Sequence, residues 1–190
     1  MRLWIVVVGI ATALSGCQTA SYRGDINSPY YVVPAGARLV LGEELKLGPD
    51  QVSVYVQNGQ VLRMSQVQVY SPFCKFELNH QSEAPRTVAP DQIDVTRAFQ
   101  YRHDGGFSAN SPPRRQYLAA NLQVGQMGGE GGAPLHSYIT QMDLRSEKQP
   151  EIFRMTCLRW SYPGMPEHIS IAEIKKTLNP LFTLRMPGES

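Results

Sequence analysis

The 190-residue chain has little net charge: 18 Lys and Arg against 16 Asp and Glu leave a formal +2. That surplus is too small for a dedicated nucleic-acid binder, which neutralises phosphates with a basic surface. No apolar run has bilayer length either. The longest, residues 3–14, has 12 residues, whereas a spanning helix needs about 20. Familiar catalytic signatures are missing as well. There is no Gly-x-Ser-x-Gly elbow, no Cys-x-x-Cys and no pair of histidines at helical spacing, because His80, His103, His136 and His168 occur singly. The glycines at 128–132 lack the lysine and hydroxyl residue of a phosphate loop. No catalytic residue, metal or cofactor is therefore expected. Cysteine is scarce, with three in all. Apolar content is not: 42% hydrophobic residues can build one ordinary globular domain and argue against wholesale disorder.

What is present begins at the N-terminus. Arg2 precedes the 12-residue apolar run, and Leu14-Ser15-Gly16-Cys17 follows it. A positive start, a short apolar stretch and small residues make a secretory signal. The four-residue ending resembles a bacterial lipobox. That resemblance implies a signal peptide over 1–16, and a Cys17 whose thiol carries a diacylglyceryl group and opens the mature chain. Gln18, rather than aspartate, follows the lipidated cysteine, and by the rule for enteric-type lipoproteins this implies the outer membrane. Two or more acyl chains hold a protein durably on a bilayer. Residues 17–30 then read as anchor and flexible tether, reaching about 20 Å as a coil.

Residues 31–190 are expected to form a single mainly β domain: a small antiparallel sandwich or barrel with one short C-terminal helix. Val52, Val54 and Val56 alternate with polar residues, and Asn58-Gly59 then predicts a tight hairpin. Val67 and Val69 read as strand, as do Cys74, Phe76 and Leu78. Val88, Ile93 and Val95 suggest a strand pair around Ala89-Pro90-Asp91. Residues 138–144 and 152–160 add two later strands. Ser170 and Glu173 form a capping-box pair ahead of Ile171, Ile174 and Leu178 on one helical face, and Pro180 closes the helix. Residues 181–185 can return as a terminal strand. Residues 104–134 hold seven glycines and three prolines without periodicity. They read as a long mobile excursion, functional or disordered.

With Cys17 assigned to lipid, Cys74 and Cys157 remain as an even pair in an oxidising compartment. Strand parity turns Cys74 towards the side of Phe76 and Leu78, and Cys157 towards that of Phe153 and Met155. The two thiols are expected to meet in a disulfide, the alternative being two separate buried thiols. A redox pair is disfavoured, since Cys74 and Cys157 lack the Cys-x-x-Cys spacing of a redox-active site. The carboxylates Glu43/Glu44 and Asp91/Asp94 read as solvated turn positions. Two candidate contact surfaces remain. Arg114 and Arg115 stand beside Tyr117 in the 104–134 excursion, suited to lipid headgroups, other phosphates or an acidic partner, or simply solvated. Trp160 and Tyr162 run into a turn, as strand-end packing or as a contact surface.

Val33-Pro34-Ala35-Gly36, the Asn58-Gly59 hairpin, Tyr70-x-Pro72-x-Cys74-x-Phe76-Glu77-Leu78 and Phe153-x-x-x-Cys157 resemble small uncharacterised proteobacterial lipoproteins over residues 31–185. The resemblance implies a lipid anchor and a disulfide but no reaction. The expected function is a periplasm-facing, non-catalytic binding or assembly module. Its partners would be the membrane, through the acyl groups, and an envelope protein or glycan. The rivals are an envelope hydrolase acting on peptidoglycan or lipid, and a carrier of lipid or a small ligand.

Overall fold

A computed structural model describes residues 24–104, 135–162 and 168–189. The strands are β1 (Arg38–Leu41), β2 (Leu45–Leu47), β3 (Ser53–Gln57), β4 (Gln60–Leu62), β5 (Phe73–Leu78), β6 (Arg86–Val88), β7 (Asp91–Asp104), β8 (His136–Arg145), β9 (Ile152–Ser161) and β10 (Phe182–Arg185). Helix α1 is Ile171–Leu178. Eight strands form one antiparallel sheet in the order β10-β1-β7-β8-β9-β5-β3-β4, curled into a half-barrel, and β2 pairs with β6 in a small separate ribbon. The expected mainly β architecture with one late helix is thus present, as an open half-barrel.

Period-two alternation decides what fills it. Leu39 and Leu41, Ile93 and Val95, Met142 and Leu144, Met155 and Cys157, Cys74, Phe76 and Leu78, Val54 and Val56 all belong to one buried cluster. Helix α1 completes that cluster with Ile171, Ile174 and Leu178, each contributing about 2 kcal/mol by burial. Its start is fixed by the predicted capping box: Glu173 N–H donates to Ser170 Oγ (3.2 Å), and Ser170 N–H to Glu173 Oε2 (2.8 Å). The Asn58-Gly59 turn forms as predicted, both residues at positive φ. Its tip packs where α1 ends: Gly59 N–H donates to Thr177 O at 2.9 Å.

Three local expectations are corrected. Val67 and Val69 do not lie in a strand. Residues 63–72 cross the outer face of the sheet, pinned by Gln57, whose Nε2 donates to Gln68 O (3.0 Å) and Pro72 O (3.1 Å) and whose Oε1 accepts from Gln68 N–H (3.0 Å). Val67 alternates with polar neighbours because it packs on Tyr55, Phe73 and Leu158. Val88 and Ile93 do not form a hairpin: Val88 pairs with Leu45 in the ribbon, while Ile93 pairs with Leu39 in the main sheet. Finally, a bulge opposite Glu77/Leu78 gives Ile152, not Phe153, the core position.

Candidate functional site

Cys74 and Cys157 stand directly opposite each other on β5 and β9 and form a disulfide, both sulfurs fully buried in the core. The bond joins positions 83 residues apart and stabilises by roughly 4 kcal/mol through chain entropy. Further along β9, Arg159 and Trp160 border two surfaces, one on each face of the sheet.

On the outer face, Trp160 N–H donates to Val69 O at 2.8 Å, extending β9 onto the crossing segment. This holds Tyr70 over the strand end. Tyr70 meets Trp160 edge-on (6.5 Å between centroids) and stacks on Tyr162 (6.4 Å, 15°). A hydrogen bond with the Tyr162 side chain raises the Tyr70 phenol above its ordinary value. Trp160 is half-buried against Tyr55, Phe73 and Leu158, while Tyr70 is 57% and Tyr162 48% exposed. Trp160 thus packs the strand end, and Tyr162 lies exposed beside it. Tyr70 was not marked by sequence reasoning as a contact residue. Only a ten-residue connection brings it there, and spacing does not reveal that. Cys17, Arg114, Arg115 and Tyr117 lie outside the described residues.

On the inner face a cleft of about 420 Å³ is lined by Asn27, Pro29, Arg159, His168, Ser170, Ala172, Glu173 and Lys176. A histidine, a carboxylate and a hydroxyl thus converge, the set a hydrolase would need. Their bonds point elsewhere. Ser170 Oγ and Glu173 Oε2 are engaged in the capping box, and Glu173 Oε1 accepts from Arg159 Nη1 at 3.1 Å. His168 packs edge-on against Tyr138 (5.5 Å), with Nδ1 buried and without a partner among the described residues. Desolvation lowers its pKa, partly offset by a backbone hydrogen bond at Ile139. Among the described residues no base–hydroxyl contact forms.

A second cleft, about 560 Å³, includes Arg38, Asp91, Asp94, Arg145 and Lys148. Asp91 corrects the reading of a solvated turn, for it is buried. Burial disfavours its charge, but donors from Ser146 Oγ (2.6 Å), Gln149 Nε2 (3.2 Å) and Gln92 N–H (2.8 Å), with Lys148 beyond, outweigh that and hold the carboxyl below its usual range. Glu43 and Glu44 are exposed, as expected.

The outer face also buries charge. Glu77 is bonded to Arg154 through both oxygens and to Lys75 Nζ at 2.8 Å, and all three side chains are nearly inaccessible. Next to them Asp143 accepts from Gln141 Nε2 (3.0 Å) and Arg97 Nε (3.1 Å). Spacing does not reveal this network, because polar positions of an alternating strand ordinarily face water. Among the described residues no group of three or more His, Cys, Asp or Glu could hold a metal.

No protein-family model, no curated protein and no solved structure matches the chain.

Proposed function

We propose that this chain is a lipid-anchored cell-envelope protein, attached through Cys17 to the bacterial outer membrane, whose β domain is a non-catalytic binding or assembly module facing the periplasm. The observation that carries the reading is the Cys74–Cys157 disulfide at the centre of the core. Such bonds persist in oxidising compartments, and this one leaves Cys17, at the end of Leu14-Ser15-Gly16-Cys17, as the one cysteine of three outside it. The binding reading is supported by the exposed Tyr70–Tyr162 pair on a rigid strand end. The hydrolase reading is weakened by the capping box that occupies Ser170 and Glu173. A carrier would need an apolar chamber, and the space under α1 is filled by Phe76, Phe182, Leu178 and their neighbours.

Metabolic labelling with an alkyne analogue of palmitate tests the anchor. Label is expected in the wild-type chain and absent from Cys17→Ser. Equal labelling of both, or of neither, would overturn it.

A further inference from the structure

We propose that the Tyr70–Trp160–Tyr162 surface is a second membrane contact, seated among the lipid headgroups of the bilayer that holds the anchor. The inference rests on the Cys17 anchor proposed above and adds an orientation to it.

The argument starts from the length of chain between lipid and body. Ile26 O accepts from Ala172 N–H (2.9 Å) and Pro29 O from Gln100 Nε2 (3.1 Å), so the chain is fastened to the domain from Ile26 on, which corrects the flexible tether expected as far as residue 30. Nine residue steps separate Cys17 from Ile26. They span at most about 31 Å fully extended and roughly 15–18 Å as a coil. A domain of this length is roughly 40 Å across. The anchor therefore selects which end of the body lies near the bilayer.

That end is the aromatic one. Ala172, which holds Ile26, precedes Glu173, which is bonded to Arg159. Arg159 is the residue before Trp160 on β9. The fastening point and the aromatic surface are thus on opposite faces of the same strand end.

The chemistry of the surface fits a headgroup layer. Tyrosine and tryptophan combine an apolar ring with a polar tip and concentrate at bilayer interfaces. Among the described residues the exposed large hydrophobics are Ile26, Tyr30, Tyr31, Val61, Tyr70 and Tyr162. All but Val61 belong to the fastened segment or to the aromatic cluster. Exposed apolar residues collected in two groups, rather than scattered singly, mark a contact surface.

Trp160 supplies its own probe. The chain has two tryptophans, and the other, Trp4, lies in the signal segment. The lipidated mature protein is reconstituted in phosphatidylethanolamine–phosphatidylglycerol vesicles, with or without acyl chains brominated near the headgroups. Flotation reads the anchor, and Trp160 emission reads the surface. The expected result is flotation, with loss of Trp160 emission in brominated vesicles. That loss should shrink in Tyr70→Ser/Tyr162→Ser, whose exposed positions leave the fold intact by circular dichroism. Flotation without quenching overturns the membrane contact and leaves the anchor standing. If emission then responds to soluble peptidoglycan fragments instead, the surface belongs to a glycan and the proposal is wrong. Failure to float removes the anchor, and the contact falls with it.

Discussion

Tyr55 Oη is buried on the outer face with no hydrogen-bond partner among the described residues. Burial, with Glu77 adding to it, pushes the phenol pKa up to about 12. An unsatisfied buried hydroxyl costs about 1–3 kcal/mol, so Tyr55→Phe is expected to raise stability by about 1 kcal/mol in urea unfolding. The same variant should change the alkaline limb. The native state keeps this proton above the ordinary value of 10.0, so the wild type loses stability as pH rises from there towards about 12, and Tyr55→Phe loses less. Substituting Glu77 has the opposite effect on stability. It is the carboxylate shared by Lys75 and Arg154, and Glu77→Gln leaves two buried cations without it, at a cost of about 3–5 kcal/mol. A urea midpoint within error of wild type would show that the outer face is wetter than its burial indicates.

The hairpin and the helix meet at Gly59. Its φ is +72°, and a Cβ there would lie 2.3 Å from Asn179 O and 2.4 Å from Pro180 Cδ, backbone and ring that cannot swing aside. Gly59→Ala is therefore expected to combine strain of about 1–3 kcal/mol with separation of the β3–β4 tip from the end of α1. Its thermal midpoint should fall, whereas Asn58→Gly, which keeps the turn geometry, should be near neutral. These elements were legible in the sequence because each has a local cause. Asn-Gly makes a two-residue turn, Ser170 and Glu173 cap a helix, and valines at every second position make a strand. The crossing segment and the β2–β6 ribbon were not legible. What places Val67 is the side chain of Gln57, ten residues away, and what separates Val88 from Ile93 is which strand each one pairs with. Periodicity carries neither kind of information.

At the scale of the whole molecule the half-barrel has two buried faces, and this governs its response to acid. The apolar inner face and the disulfide were foreseeable from parity, since Cys74 and Cys157 each share a side with large apolar residues. The buried polar groups were not, because nothing in a single strand tells which of its faces another segment will cover. Two polar groups, the half-buried His168 and the buried Asp91, titrate in the same sense. Desolvation lowers the His168 pKa below 6.5, so the unfolded chain takes up that proton first as pH falls, and stability present above pH 6.5 begins to be lost below it. Asp91 is held below 3.8 despite its burial by Ser146, Gln149 and Gln92, with Lys148 adding a charge, so its contribution is complete above that value and disappears as pH falls through it. Glu189, held below 4.5 by Met186 N–H and Lys175, adds to the lower step. Urea midpoints followed from pH 7.5 to pH 3 should decline in two stages. His168→Gln, neutral throughout, is expected to flatten the stage below pH 6.5 and leave the lower one. Asp91→Asn should lower stability at pH 7 while flattening the lower stage. A wild-type midpoint that stays constant between pH 6.5 and 5 would mean that His168 accepts its proton in the folded protein without penalty, and that its place beside Tyr138 is open to water.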